Sequence, residues 1–291
     1  MLTNKRHAML HAVVLALLPY TAWLSVALVA LVTLRKGAHE GFYILMGAMI
    51  AHYTLSLWSM PFTIGAINTV LTFAPCYLAA YLLRLTASWR SVAGIFFLQV
   101  VVAVVLIQVL IPDFIMVQYQ YIQTALKTMQ DESALLEFVN DKAGLNSAVL
   151  ANYLFGIQIV GIIISALLSL MLARSVQSRL FYPGGFREEM LAVRGDKMGF
   201  LILLVMFYAA NQGNVLAMNL LPVLMFYFLL AGLSLAFNLL ARKKMRGSIL
   251  LLVTPLLLLP FIMLPFYVVI GSLDCLFNFR LYLPASAGKS T

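Results

Sequence analysis

Histidines are the first residues that could do chemistry, and they all lie in the first 52 positions. His7 and His11 stand four residues apart, a spacing that places two side chains on one helix face and suits two ligands of a metal ion. No HExxH motif and no nearby cysteine or carboxylate supplies a third ligand, so we predict no metal site. His52 lies inside an apolar run, where it is either a hydrogen-bonded packing residue or a functional one, since buried ionisable groups are costly.

A pair of glutamates followed by an arginine is the second candidate. Glu188 and Glu189 precede Arg194, and intramembrane prenyl-type proteases use such a pair with an arginine after three intervening residues. Here four residues intervene, and no later histidine completes a site. Because no G-x-S-x-G elbow, P-loop or glycine-rich dinucleotide turn is present either, we predict no enzyme, no catalytic residue and no cofactor.

The segment around this pair is predicted to be a short surface helix. A Pro-Gly-Gly turn at 183–185 ends the preceding helix, and the apolar residues that follow it recur at helical spacing. The charged residues between them, Glu189 and Arg194 included, are expected to face water on the cytoplasmic side. The residues that we select as a candidate docking surface for a partner are Gly184, Gly185, Phe186, Arg187 and Glu188.

Uncharged amides inside or beside the apolar runs form the third group. Hydrocarbon cannot satisfy their donors and acceptors, so we expect them to point inward, either bonding helix to helix or lining a cavity. Together with His52, the candidate ligand or polar interior residues are Asn68, Gln99, Asn152, Gln158, Asn211, Gln212 and Asn214. Residues 211–214 are predicted to form an outer turn whose amides could contribute to a site that opens outward.

Three polar residues follow the last apolar run: Asp274, Asn278 and Arg280. An aspartate six positions before an arginine can pair with it only if the helix breaks or bends, because i+3 and i+4 are the facing positions. Asn278 is the i+4 neighbour of Asp274.

The composition identifies the solvent in which these residues must be positioned. With 63% apolar residues, 10% charged residues and a mean hydropathy of +0.99, the chain cannot hide its apolar side chains inside a water-soluble sphere. We predict one integral membrane domain over residues 1–291 that contacts the lipid bilayer. The net charge of +9 comes mainly from loops that orient helices and meet anionic headgroups, and we expect no nucleic acid. Cys76 and Cys275 are predicted to be packing residues.

Apolar runs predict an all-α, polytopic transmembrane helix bundle of about eight membrane segments. The runs cover residues 9–34, 41–59, 62–83, 92–112, 148–172, 198–212, 215–240 and 248–270. Most lysines and arginines fall in alternate connections, which should face the cytoplasm. Proline disfavours a continuous helix, so we favour a hairpin that turns at Pro19 and adds one more segment; a single kinked helix is the alternative.

The longest connection, residues 113–147, is predicted to lie on the outer side because it carries most of its charge as carboxylates. Ile115, Ile122 and Leu126 recur at helical spacing, and a second helix is predicted to begin near Ala134. We expect one or two amphipathic helices here. They either support the outer face or form a lid over a site.

Three stretches resemble the bacterial DUF2232 membrane-protein family: PGGFREE at 183–189, LRKG at 34–37 and LDCLFNFR at 273–280. More distantly, the chain is similar to the membrane substrate-binding (S) components of energy-coupling-factor vitamin transporters. That resemblance implies a multi-pass protein of the bacterial inner membrane. It also implies that a stripe of small residues on the first helix docks a coupling subunit, and the matching residues here are Ala8, Ala12 and Ala16.

Two functional hypotheses follow from these patterns. The first is a binding or transport component that captures a small molecule in a pocket open to the outer side and depends on a partner for energy. The alternative is a membrane scaffold or assembly factor that docks a cytoplasmic partner through the loop at 173–197.

Overall fold

The computed structural model describes residues 5–18, 20–58, 62–128, 147–181, 185–242 and 248–282. Every regular element in these ranges is helical, which confirms the all-α prediction. In chain order the helices are α1 (Lys5–Leu17), α2 (Ala22–Lys36), α3 (Ala38–Ser56), α4 (Phe62–Thr86), α5 (Trp89–Leu110), α6 (Phe114–Thr128), α7 (Ser147–Phe181), α8 (Gly185–Ala192), α9 (Lys197–Asn211), α10 (Val215–Arg242), α11 (Ser248–Leu258), α12 (Pro260–Phe277) and α13 (Phe279–Tyr282). The second helix predicted for the outer segment, near Ala134, lies outside the described residues.

Five of the described helices are long and apolar enough to cross a membrane, so the chain is a multi-pass membrane protein. The spans are Ile64–Thr86, Trp89–Leu110, Ser147–Phe181, Val215–Leu240 and Pro260–Phe277. These spans carry exposed aliphatic and aromatic side chains, for example Leu110, Leu168 and Phe261. Contiguous apolar surface of this kind suits acyl chains as the surrounding solvent.

The predicted count of about eight segments is not confirmed, because some apolar runs fold into shorter helices. The last run is broken at Leu259, whose φ of −131° and ψ of 58° are not helical. Leu259 precedes Pro260, and the residue before a proline is pushed out of the α region by a clash with the ring. The run therefore forms α11 and α12 instead of one span.

The described chain divides into two compact units. Unit 1 comprises Met1–Gln99 and Gly161–Met190. In it, α1 and α2 form a helical hairpin, since the Ser25 hydroxyl donates to the Ala12 carbonyl at 2.7 Å. The turn between them uses Tyr20, whose φ of 63° lies in the left-handed region. Pro19, where the sequence predicted this turn, lies outside the described residues.

Unit 2 comprises Val100–Val160 and Leu191–Thr291, and α10 and α12 are closely packed within it. Gly232 lies directly against the carbonyl of Tyr267, and Gly271 against the carbonyl of Phe228, so a Cβ at either glycine would overlap a backbone oxygen. Small residues allow two membrane helices to approach at backbone distance.

Candidate functional site

Polar residues of unit 2 lie at the carboxyl end of α12. The helix breaks there, as the sequence requires if Asp274 and Arg280 are to pair. Asn278 takes a left-handed conformation, with φ of 48° and ψ of 59°, and its backbone N–H donates to the Asp274 carbonyl at 3.0 Å. Asparagine tolerates this conformation better than most residues. The chain then turns back, so that Arg280 Nε lies 3.2 Å from Asp274 Oδ2.

A second guanidinium, that of Arg194, binds the same helix end. It donates to the Asp274 carbonyl at 2.8 and 3.1 Å and to the Cys275 carbonyl at 3.1 Å. Its Nε is also 3.9 Å from Asp274 Oδ2. The last carbonyls of a helix lack intrahelical donors and carry partial negative charge, so a cation is favoured there. The predicted surface helix is shorter than expected, because α8 ends at Ala192. Arg194 therefore lies beyond it, partly exposed, and caps α12.

These contacts fix the connection between α8 and α9 to unit 2. The Val193 carbonyl accepts from Arg280 Nη2 at 2.6 Å and from the Ser234 hydroxyl at 2.9 Å. We call Arg194, Ser234, Asp274 and Arg280 the Asp274 network. The Asp274 side chain is fully buried, and its Oδ1 has no hydrogen-bond partner among the described residues.

A second carboxylate cluster lies in unit 1 and holds α8. Glu189 forms an ion pair with Arg174 and accepts a hydrogen bond from Trp89 Nε1 at 2.9 Å. We call Trp89, Arg174 and Glu189 the Glu189 cluster. Partial burial raises the pKa of Glu189, but the hydrogen bonds from Arg174 and Trp89 and the charge of Arg174 outweigh it and hold that pKa below its usual value. Glu189, predicted to face water, is partly exposed, and its carboxylate is bound within unit 1.

The predicted docking segment is only partly described. Gly184 and the side chains of Arg187 and Glu188 lie outside the described part of the chain. Gly185 begins α8. The Phe186 backbone N–H donates to the Ser178 hydroxyl at 3.1 Å, and its ring packs edge-on against Trp89 with centroids 6.3 Å apart. Phe186 thus contributes to holding α8 in place.

Two amides meet between α7 and α10 in unit 2. Asn152 donates to the Ala148 carbonyl at 2.7 Å and accepts from Asn219 Nδ2 at 3.1 Å. Asn219 is fully buried, and its Oδ1 lacks a partner among the described residues. Gly156, one turn along α7, lies against the carbonyl of Asn219. We call Asn152 and Asn219 the amide pair.

The amide pair lies close to the amino-terminal ends of both helices. At 1.5 Å per residue, Asn152 is about 7 Å from the start of α7 and Asn219 about 6 Å from the start of α10. Both helices follow connections that the sequence predicts to be on the outer side. An apolar cluster that includes Ala217, Met218 and Leu221 borders this region.

The other predicted polar residues are not gathered at the amide pair. His52 Nδ1 lies 3.0 Å from the Thr69 hydroxyl in unit 1. Asn214 caps α10 by accepting from the Ala217 backbone N–H at 3.0 Å, and Asn211 bonds to the Phe207 carbonyl at 3.0 Å. Asn68 and Gln212 are exposed, and Gln99 and Gln158 are half-buried. The amide nitrogen of Gln99 is buried and has no hydrogen-bond partner among the described residues.

The small residues of α1 pack against other helices of unit 1. Ala8, Ala12 and Ala16 are all buried, and α1 packs against α2 and α3. The stripe therefore serves packing within unit 1 in this structure. On the same helix, His11 Nδ1 lies 2.5 Å from the His7 carbonyl, and the described residues contain no group of three or more His, Cys, Asp or Glu residues that could hold a metal ion.

The fold defines a class, a multi-pass, all-helical membrane protein. Its described residues include the Asp274 network, the Glu189 cluster and the amide pair. No family model matches the chain, and neither a curated protein nor a solved structure matches it.

Proposed function

We propose that this chain is the binding or transport component of a membrane system and that it takes up a small molecule at the amide pair in unit 2. The observation that carries the proposal is the buried Asn219 Oδ1, which has no partner in the part of the chain that the structure describes. A buried acceptor left unsatisfied costs about 1–3 kcal/mol. A ligand that donates an N–H or O–H group would remove that cost and convert it into affinity.

The surroundings suit a mainly apolar ligand with a few polar groups. Asn152 already uses one amide hydrogen on the Ala148 carbonyl and its oxygen on Asn219, so it orients Asn219 and leaves the Asn219 oxygen as the acceptor. Apolar side chains with a few placed polar groups are typical of small-molecule sites. The short distance to the ends of α7 and α10 favours entry from the predicted outer side.

The resemblance to transporter S components supports the same function, and membership of the DUF2232 family and the bacterial inner membrane remain predictions. Because Ala8, Ala12 and Ala16 pack within unit 1, a coupling partner would bind another surface of the chain. The predicted cytoplasmic connections are the surfaces that fit that requirement.

Thermal shift of the purified protein in detergent tests the proposal. We expect one member of a panel of vitamins, nucleobases and metabolites to raise the melting temperature, since ligand at 100 times Kd stabilises by about 2.7 kcal/mol. Asn219→Leu should abolish the shift, whereas Asn211→Leu, which removes an exposed amide on α9, should keep it. A panel without any shift, or an Asn219→Leu variant that binds equally well, contradicts the proposal.

A scaffold role is the second candidate, and the Glu189 cluster favours it. The contacts of Glu189 and Phe186 hold α8 in one position, so the helix presents a fixed surface to a cytoplasmic partner. Photo-crosslinking in cells from position 187 or 188 tests this role. A specific adduct that disappears in Glu189→Ala supports the role, and the absence of any adduct overturns it.

A further inference from the structure

The ends of α2, α4 and α7 lie together in unit 1 and bring basic side chains to one place. Arg84, from the last turn of α4, donates through Nη1 to the Thr33 carbonyl at 3.2 Å. Arg35, from the last turn of α2, lies with Cζ 3.9 Å above the ring of Phe181 at the end of α7. Lys36 follows Arg35 directly. We call Arg35, Lys36 and Arg84 the α2-end patch.

The guanidinium groups of this patch are held in place and still exposed. A carbonyl bond fixes Arg84, and stacking on an aromatic ring fixes Arg35. Both side chains are nevertheless exposed to the surroundings. An arginine whose side chain is already ordered loses less entropy when it binds a phosphate, and its planar fork matches two phosphate oxygens.

The turn after α2 makes this arrangement possible. Gly37 has a φ of 109°, and a Cβ at this position would lie 3.3 Å from Arg84 Nη1. A larger residue would therefore be strained in its backbone and would press on the guanidinium.

The charge of this region is strongly positive. Glu40, in the first turn of α3, is the carboxylate carried by the described ends of α2, α3, α4 and α7, and it makes a contact of its own within the chain. Glu189, another carboxylate of unit 1, is already bound by Arg174 and Trp89. Three basic side chains and one carboxylate give this region a net positive charge, which attracts anions.

Apolar side chains border the patch on the same helix ends. Leu85 next to Arg84 is 62% exposed, and Phe181 under Arg35 is 52% exposed. A free phosphate would make no apolar contact with these side chains. A phospholipid could bind the arginines through its phosphate and contact Leu85 and Phe181 through its acyl chains. We propose that the α2-end patch binds the headgroup phosphate of an anionic phospholipid.

Quenching of a single tryptophan by brominated lipid tests this inference. Trp89 serves as the probe because it lies three residues past α4, the helix whose last turn carries Arg84. The double replacement Trp23→Phe with Trp58→Phe removes the other two tryptophans, which are exposed. In phosphatidylcholine vesicles we expect brominated phosphatidylglycerol to quench Trp89 at a much lower lipid fraction than brominated phosphatidylcholine does. That preference should weaken as salt is added.

Charge-removing variants locate the effect. Arg35→Gln and Arg84→Gln should each lower the relative affinity for phosphatidylglycerol about fivefold, as expected for one basic residue at an anionic surface. Lys197→Gln removes the same charge from an exposed site in unit 2 and should leave the affinity unchanged. Unaltered quenching by brominated phosphatidylcholine confirms that each variant is folded.

Three outcomes overturn the inference. Equal quenching by the two lipids shows that there is no preference for an anionic headgroup. An equal loss in Lys197→Gln shows that the attraction is diffuse. Full displacement of phosphatidylglycerol by inorganic phosphate shows that the acyl chains contribute nothing and that the patch is a phosphate site alone. These readouts are independent of ligand binding at the amide pair.

Discussion

The Asp274 network and the Glu189 cluster use the same chemistry in different surroundings. Each places a carboxylate against an arginine. Asp274 is fully buried and Arg280 is 12% exposed, whereas Glu189 and Arg174 are 22% and 24% exposed. One pair lies in the protein interior, and the other is partly in contact with solvent.

This difference determines how much each pair should matter. Solvent and salt screen a partly exposed pair, so such a pair contributes little to stability. A buried pair is costly to form, and removing one partner leaves an uncompensated buried charge. Asp274 should therefore contribute more to the stability of unit 2 than Glu189 contributes to holding α8 in place. Four predictions test this contrast.

The largest effect is expected for Asp274→Ala. This variant leaves the guanidinium groups of Arg194 and Arg280 without their carboxylate, which should lower the free energy of unfolding by about 3–5 kcal/mol. Unfolding in detergent, followed by circular dichroism, measures the loss. Asp113→Ala, at an exposed position, is the matched control and should change little. A loss below that of Glu189→Ala would remove the distinction between the two clusters.

A double replacement should recover part of that loss. In Asp274→Leu with Arg280→Met, the buried charge and its main partner disappear together, and apolar replacements of whole buried pairs are often tolerated. We expect the double variant to be more stable than Asp274→Leu alone, with a coupling of about 0.5–3 kcal/mol. Additive losses in a double-mutant cycle would show that the two side chains act independently.

Glu189→Gln should have a smaller effect that depends on pH. Because the pKa of Glu189 is lowered in the folded protein, its ion pair stabilises above the ordinary carboxyl range of about 4.3 and is lost as the pH falls through the folded value. Near neutral pH the variant should lose about 1 kcal/mol. Its deficit should shrink with acid and with salt. A deficit that stays constant between pH 7 and pH 3 would contradict the assignment.

The smallest effect is a change in thiol reactivity within a folded protein. Cys76 in unit 1 and Cys275 in unit 2 are both free and buried, so neither should react readily with a maleimide. Asp274→Ala should expose Cys275 through local opening of the α12 end and leave Cys76 protected. Mass spectrometry of the labelled peptides distinguishes the two thiols. Faster labelling of Cys76 would mean that the disruption is not local.

The sequence predicted the helical class and the membrane environment because both depend on composition and run length. It also indicated that Asp274 and Arg280 could pair only if the helix breaks or bends between them. The break at Leu259 has a signal in the sequence, the proline that follows it, which the length of the apolar run does not reveal.

The partners of the charged residues could not be predicted in the same way. Helical spacing placed Glu189 and Arg194 on a water-facing side, but their partners Arg174, Trp89 and Asp274 come from other helices. Local periodicity describes one helix and carries no information on which helices pack together. A tryptophan beside basic residues at the start of an apolar run was the available signal for Trp89.

The bond between Arg280 and the Val193 carbonyl joins positions 87 residues apart. During synthesis, Val193 leaves the ribosome well before Arg280 does. The four helices α9, α10, α11 and α12 are synthesised in between. Until then, the carbonyl of Val193 lacks its strongest donor. The order of translation thus makes closure of this connection a late step, completed only after the α12 turn at Asn278 has been made.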